Sequence, residues 1–270
     1  MHIVVLGSSS AGNCTAIWNQ RHVILVDCGF SPRYINGHLR DFGIEPSRVS
    51  GLLITHTHSD HVNEQTLEHL FSRNVRVVCP EGIVKVLARR FPSARRARDR
   101  GLLMSLAGAA GAIGDFGVEA FDVPHDADGR CFGYSIRHAA RGSDLKITIA
   151  TDLGYPRDGL SMHFADSDAI VIESNHDAEM LENSSRPAWL KRRIREIGHL
   201  SNDQCAAFLV EVLRKSEKLP TAVILAHISQ ECNTNPLAML CTRKALDSQG
   251  FIHVDVVQTH KTRPHGIVTL

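Results

Sequence analysis

The chain has 270 residues, 43% of them hydrophobic, which is enough to bury a sizeable core within one large domain. Its formal net charge of +1 argues neither for nor against a polyanionic partner, and its seven scattered cysteines form no Cys-x-x-Cys pair, so neither a disulfide framework nor a thiolate zinc site is indicated. The first residues lack a signal-peptide pattern and no window approaches a membrane span, which predicts a cytoplasmic protein without a membrane partner.

The first half of the chain alternates predicted strands with predicted helices. Ser31 followed by Pro32 indicates the start of a helix that runs to about Asp41. Residues 107–114, rich in glycine and alanine, are predicted to be a loop. Short apolar runs predict strands at 3–6, 15–18, 23–27, 51–55 and 75–79, and helical spacing predicts helices at 64–71 and 82–91.

The second half repeats this pattern. Ser201 and Gln204 have the spacing of a capping box, which predicts a helix to about Lys215. Strands are predicted at 118–123, 132–136, 146–151, 169–173 and 221–226, helices at 189–197 and 235–246, and two short strands at the end. Two sets of strands, each followed by helices, predict one domain of two αβ halves (about 1–130 and 131–270), with two sheets packed face to face and helices outside.

Four potential metal ligands lie within six residues, in the run His56-Thr57-His58-Ser59-Asp60-His61. Histidines at i and i+2 can fall on the same side of an extended segment and share one ion, and Asp60 and His61 can face a neighbouring ion. Three further candidates come directly after predicted strands, where a rigid element holds a side chain in place: His125, Asp152 and His227. Each of these three alone could be a core histidine or a turn-forming aspartate, but together with the run they predict a metal site.

In this order, Asp27, the run His56–His61, His125, Asp152 and His227 resemble the five motifs of the metallo-β-lactamase superfamily over essentially the whole chain. The resemblance implies an α/β fold, the αββα four-layer sandwich, with a site for two divalent metal ions at the sheet edges. One ion would be held by His56, His58 and His125, the other by Asp60, His61 and His227, and Asp152 would bridge them. Asp27 would be a carboxylate behind the ligands that orients them. Zinc suits the histidine-rich set, while manganese and iron stay open.

Other residues indicate which branch of this superfamily the chain resembles. No cysteine matches the one that true β-lactamases use in their second metal site. Two divalent ions set against Asp60, Asp152 and a bridging hydroxide leave roughly one positive charge, which suits an anionic substrate such as a phosphodiester. His199 lies two residues before a capped helix start, where backbone N–H groups favour anions. With Glu173 it resembles the pair that supplies the general acid in the ribonuclease Z and phosphodiesterase branch.

Three segments, 7–13, 173–177 and 227–233, resemble the YycJ/WalJ-like group of that superfamily, which implies a nuclease with DNA rather than RNA as the favoured substrate and an exonuclease activity. About 75 residues separate Asp152 from His227, which leaves no room for the capping domain of the β-CASP nucleases. The spacing of 7–13 is that of a phosphate-binding loop, but Asn13-Cys14 replaces the Lys-Ser/Thr pair, so a tight turn at the edge of the site is the preferred interpretation.

The predicted reaction is phosphodiester hydrolysis by a hydroxide that bridges the metals, with Asp60 at the reacting centre and with Glu173 and His199 donating a proton to the leaving group. Candidate substrate contacts are Ser9, Asn13, His176, Ser229 and Asn233. A small-molecule phosphodiesterase stays open, although basic clusters at 89–100 and 191–195 favour a polymer. A glyoxalase-II-like thioesterase or lactonase, which would not need His199, is a further alternative. The oligomeric state is left open.

Overall fold

The computed structural model describes residues 1–140 and 142–270, in which two seven-stranded sheets are flanked by helices. The first half of the chain contains β1 (His2–Ser9), β2 (Gly12–Trp18), β3 (Val23–Val26), α1 (Pro32–Asp41), a 3-10 turn (Pro46–Arg48), β4 (Val49–Leu53), α2 (Glu64–Ser72), β5 (Arg76–Cys79), α3 (Glu81–Arg90), α4 (Pro92–Asp99) and β6 (Leu103–Ser105). The second half contains β7 (Ala110–Ile113), β8 (Phe116–Val123), β9 (Cys131–Ala140), β10 (Ser143–Ala150), α5 (Leu160–Phe164), β11 (Ala169–Glu173), α6 (Ala178–Asn183), α7 (Ala188–Arg193), a π-helical turn (Ile194–Gly198), α8 (Asn202–Lys215), β12 (Ala222–Ala226), α9 (Asn235–Ser248), β13 (Asp255–Gln258) and β14 (Val268–Thr269).

Three apolar layers fill the spaces between helices and sheets. Successive side chains of a strand point to opposite faces, so in β1 Val4 and Leu6 pack under the helices of the first half while Ile3 and Val5 face the second sheet. A third layer lies between the second sheet and the helices of the second half and includes Phe208. The order helix, sheet, sheet, helix confirms the predicted αββα sandwich. No helix in the described part of the chain is long and apolar enough to cross a bilayer.

The loop predicted at 107–114 is wrong, because Ala110–Ile113 forms the edge strand β7, which pairs antiparallel with β8. Its small residues give little strand signal, yet they are needed for close packing: a Cβ on Gly111 would lie 2.7 Å from the Leu106 side chain. The chain therefore leaves the first sheet after β6 and enters the second sheet at β7, so the crossing lies at 106–109 and not near the predicted boundary at 130. The helix predicted at 189–197 is α-helical only in its first part, α7, and continues as the π-helical turn Ile194–Gly198.

Strand direction collects the candidate site residues at one edge. In the first sheet β3 and β4 are parallel, and in the second sheet β10, β11 and β12 are parallel. Strand β8 is antiparallel to β9, which is antiparallel to β10, so β8 runs the same way as β10. The residues that follow these strands therefore meet at the carboxyl ends, where the two sheets face each other.

The final segment of the chain is anchored on β1 through His265. The Nε2 atom of His265 accepts a hydrogen bond of 3.0 Å from the Val5 N–H, beside the register shift between β1 and β2. The His265 side chain is buried, and burial lowers its pKa to about 4 from the ordinary value of 6.5. A neutral imidazole is thus part of the folded structure.

We expect the free energy of unfolding to fall as the pH drops from 6.5 towards 4. In this window His265 binds a proton in the unfolded chain but stays neutral in the folded one. The contribution of such a shift is about 2–3 kcal/mol. His265→Gln keeps an oxygen that can accept from Val5 and cannot titrate, so urea unfolding between pH 7 and 4 should show a shallower loss of stability in this variant. His253→Gln, at an exposed position, is the control. Parallel pH profiles for wild type and His265→Gln would contradict the assignment.

Candidate metal centre

Three of the site residues follow their strands in a left-handed backbone conformation. Asp27, Asp152 and His227 have φ angles of 62°, 56° and 52°; Asp27 and His227 come directly after β3 and β12, and Asp152 is the second residue after β10. This region is uncommon for residues other than glycine, costs on the order of 1 kcal/mol, and is concentrated at functional sites. The turn ends each strand at the sheet edge and leaves the side chain there. The fold thus accepts backbone strain to place these three groups.

The loop after β4 is held by backbone hydrogen bonds to the segment after β3. The Cys28 N–H donates to the His61 carbonyl at 2.9 Å, and the Asn63 N–H donates to the Cys28 carbonyl at 2.9 Å. Gly29 is required at this contact, because a Cβ there would lie 1.8 Å from the Asp60 carbonyl oxygen. The loop that carries four of the predicted ligands is therefore rigid on the side that faces the first sheet.

The predicted ligand atoms gather in two groups. In the first, His58 Nδ1 lies 3.0 Å from His56 Nε2 and 3.5 Å from His125 Nε2. In the second, Asp60 Oδ2 lies 3.4 Å from His61 Nε2 and 3.5 Å from His227 Nε2. The donor atoms of each group lie within 4.8 Å of one another.

Asp152 stands between the two groups. Its Oδ2 atom lies 3.0 Å from His61 Nε2, and its Oδ1 atom lies 3.9 Å from His125 Nε2. The structure therefore brings all seven predicted ligands together. Asp152 lies between the two groups, and its Oδ1 atom is also 3.7 Å from His227 Nδ1 in the second group. The bridging role of this carboxylate stays a prediction.

In His61 and His125 the ring nitrogen that faces away from the donor groups is hydrogen-bonded. His61 Nδ1 donates to Asp27 Oδ2 at 2.7 Å, and His125 Nδ1 donates to the Gly198 carbonyl at 2.8 Å. Asp27 is itself fixed by the N–H and hydroxyl of Thr55, each at 2.8 Å. A proton on Nδ1 leaves the Nε2 lone pair for a cation, so these partners select the tautomer that metal binding requires.

The residues fit divalent metal ions. Asp152 Oδ2 and His227 Nε2 are buried and have no hydrogen-bond partner among the residues that the structure describes, which is rare for polar atoms in a folded protein. Burial opposes a charge on His61, but the carboxylates of Asp152, Asp27 and Asp60 outweigh it and raise the pKa of that ring. The same carboxylates favour a metal cation, and histidine with carboxylate oxygen is a donor set for divalent ions.

Glu173 joins the second donor group to His199. Its Oε1 atom accepts from His199 Nδ1 at 2.8 Å and from His227 Nδ1 at 2.7 Å, and its Oε2 atom accepts from the N–H groups of Leu153 and Leu200 at 3.0 and 3.1 Å. Burial would raise the pKa of Glu173, but His199 and His227 lower it to about 2, so this residue is an anion at neutral pH. The sequence predicts a pair of Glu173 with His199 alone, and only the structure shows the bond to His227.

The two donor groups open into a cleft of about 220 Å³. Its lining includes Ser10, Arg186 and Arg193, which sequence analysis did not assign to the site, although Arg193 belongs to the basic cluster at 191–195. Arg193 pairs with Asp126, another lining residue. Arginine side chains on one wall and metal ligands on the other make a cleft suited to an anion.

Three predicted substrate contacts, Asn13, His176 and Asn233, are buried and do not line the cleft, so their contact with a substrate stays a prediction. The Asn13 amide donates to Asp60 Oδ2 at 3.3 Å, which supports a ligand rather than a substrate. The Asn233 amide donates to the backbone carbonyls of residues 174 and 175, each at 3.0 Å. Burial lowers the pKa of His176 to about 4, so its ring is neutral at pH 7 and brings no positive charge to a phosphate.

The other two predicted contacts lie in a hollow beside the cleft. Ser9 and Ser229 line this hollow together with Lys261, and the hollow shares Ser10 and Arg186 with the cleft. The Ser229 hydroxyl accepts from the Cys232 N–H at 3.1 Å. Their contact with a substrate stays a prediction.

Comparisons with known proteins agree with this geometry. A family model described as the beta-lactamase superfamily domain matches residues 22–228. The chain is 29% identical to the exodeoxyribonuclease YycJ of Bacillus anthracis, over 98% of this chain and 96% of that protein. It is also 29% identical to the exodeoxyribonuclease WalJ of Streptococcus pneumoniae serotype 2, over 87% of this chain and 84% of that protein. The crystal structure of the metallo-beta-lactamase fold protein YhfI from Bacillus subtilis has a TM-score of 0.68 at 13% identity and covers 99% of this chain and 98% of that one.

Proposed function

The chain belongs to the β-lactamase superfamily, and from that premise we propose that it is a metal-dependent nuclease that hydrolyses the phosphodiester bonds of DNA from an end. The observation that carries the proposal is the Glu173–His199 pair, which lies directly beside two complete donor groups. Relatives named exodeoxyribonucleases match this chain over nearly all of its length and theirs, which supports the choice of DNA.

Divalent ions held by these residues supply Lewis-acid chemistry, because they acidify water and neutralise negative charge on a phosphoryl group. We assign two ions, with zinc as the preferred metal and manganese or iron as alternatives. His56, His58 and His125 would hold one ion; Asp60, His61 and His227 would hold the other; and Asp152 would contact both. Asp27 and Glu173 keep the ligand rings in the required tautomer.

His199 is placed to give a proton to the leaving group. Its Nδ1–H is engaged by the Glu173 carboxylate, which leaves Nε2 for the substrate. Its side chain is 23% exposed and lines the cleft, so a leaving oxygen can reach it. Proton transfer from a positioned imidazole contributes about 10²–10⁴-fold to the rate of reactions with poor leaving groups.

The cleft favours a phosphodiester over a neutral ester or lactone. Arg186 and Arg193 line it, and two more arginines lie beside the metal-ligand loop, where Arg90 donates to the Thr57 carbonyl at 2.7 Å and Arg89 pairs with Asp128 at 3.2 Å. Positive charge on both sides of the donor groups attracts a polyanion. A neutral thioester or lactone would gain nothing from it.

We expect the protein loaded with zinc or manganese to shorten end-labelled DNA stepwise, and a chelator to abolish the cleavage. The measurement is gel analysis of single- and double-stranded DNA and RNA labelled at either end, with bis-p-nitrophenyl phosphate, a thioester and a lactone tested in parallel. Cleavage of small phosphodiesters alone would favour a small-molecule phosphodiesterase, and cleavage of the thioester or lactone alone would refute the proposal. Two bound ions per chain with no hydrolysis of any phosphodiester would also refute it.

A further inference from the structure

An exposed tryptophan lies on a helix that lines the cleft. Residues 186–198, which we call the α7 arm, form one wall of the cleft through Arg186, Leu190, Arg193 and Ile194 and end directly before His199. Trp189 lies one helical turn before Arg193, so the two side chains share a face of α7. The Trp189 side chain is 67% exposed. The indole therefore stands beside the cleft with its ring open to solvent.

Packing of the arm does not depend on this indole. The apolar contacts of the arm are made by Leu190 and Ile194, which join a small cluster with Leu181 and Cys232. The other tryptophan of the chain, Trp18, is only 8% exposed. A large aromatic ring left in water next to the cleft is free to contact a ligand.

The α7 arm carries a net positive charge of its own, and its four arginines are ion-paired with carboxylates, Arg186 with Glu231 and Arg193 with Asp126 among them. The α7 arm contains five basic residues and one acidic residue, Glu196. Arg192 pairs with Glu196 at 2.9 Å and Arg195 pairs with Glu182 at 2.8 Å, in both cases between exposed side chains. Such surface pairs contribute little to stability, so the arginines can turn to a phosphate backbone at small cost.

We propose that Trp189 is a stacking platform for an unpaired base of a single-stranded nucleic acid whose backbone runs along the basic α7 arm into the cleft. Stacking on an aromatic ring combined with a positively charged groove is how proteins bind single strands without sequence preference. A base inside a duplex has no free face for the indole, so the surface fits a single strand or a frayed end. The inference rests on the proposed nuclease function and specifies that the substrate enters the cleft as a single strand.

Binding can be measured without cleavage. Titration of metal-loaded protein with a phosphorothioate oligothymidylate should quench the emission of Trp189, while buried Trp18 keeps its emission. Trp189→Phe should lose the quenching yet bind the strand within a few-fold of wild type, and Trp189→Ala should bind it roughly 10-fold more weakly. Equal affinity of Trp189→Ala and wild type would overturn the proposal.

Kinetics supply the second readout. Trp189→Ala should raise the KM for a single-stranded oligonucleotide roughly 10-fold and leave the turnover of bis-p-nitrophenyl phosphate, which carries no base, unchanged. Leu240→Ala, at an equally exposed position on α9 outside the cleft lining, is the matched control and should change neither. If Trp189→Ala instead converts a dimer to a monomer in sedimentation and keeps the KM of wild type, the surface docks a second copy and the proposal fails. A wild type that cleaves no nucleic acid would refute the nuclease function, whereas the fluorescence titration would still decide whether Trp189 stacks.

Discussion

Asp152→Asn protein is expected to bind less than the full complement of divalent metal and to lose phosphodiester hydrolysis. The substitution removes the one negative charge that both donor groups share, while asparagine keeps the size of the side chain and tolerates the left-handed backbone at φ 56°. We expect activity to fall by at least ~10²–10³-fold, the scale of losing one charge-stabilising group in an active site. Metal content per chain, measured by mass spectrometry after dialysis, should fall in parallel.

Asp122→Asn is the matched control for this experiment. Asp122 also lies at the carboxyl end of a strand, but it pairs with Arg130 and Arg157 rather than with the ligand histidines. It should keep the metal content and activity of wild type. Unchanged metal content in Asp152→Asn would mean that the carboxylate does not bridge, and the assignment of the two donor groups would have to be revised.

Glu173→Gln is expected to damage two functions at once, because one carboxylate serves two imidazoles. An amide cannot accept from His199, His227, Leu153 and Leu200 together, since one of its ends donates. Loss of the His227 partner should weaken metal binding about 10–100-fold, as removal of such a hydrogen bond does in other metal sites. Loss of the His199 partner should slow cleavage of substrates with alkoxide leaving groups about 10²–10⁴-fold.

His199→Ala separates the two effects. It should keep the metal affinity of wild type and lose activity selectively, with a large loss on a dinucleotide and a small one on bis-p-nitrophenyl phosphate, whose leaving group needs no proton. Competition with a chromogenic chelator gives the metal affinity, and steady-state rates on the two substrates give the selectivity. Equal losses on both substrates would remove His199 from the acid role, and wild-type metal affinity in Glu173→Gln would show that His227 does not depend on the carboxylate.

Much of the fold and the ligand set could be predicted from the sequence, because the responsible interactions are local. The N-cap at Ser31 and the capping box at Ser201 involve residues three positions apart, and both are present as predicted. Strand β11 has the predicted bounds, since its continuous apolar run is buried on both faces. The loop His56–His61 could be recognised because its spacing alone brings ligands together.

Other features were decided only by tertiary structure. The bond between Glu173 and His227 spans 54 residues, and the face that α7 turns to the cleft depends on how Leu190 packs. Asn13 and Asn233 are polar residues, and from the sequence each could equally bind a substrate or form hydrogen bonds in the interior. In the structure both are buried, with the Asn13 amide bonded to Asp60 and the Asn233 amide bonded to a backbone carbonyl. A side chain's type and local spacing are written in the chain, whereas its partner and its exposure follow from long-range packing. The sequence by itself therefore determined which groups can bind metal, and the packing of the two sheets determined which groups orient them and which remain open to a substrate.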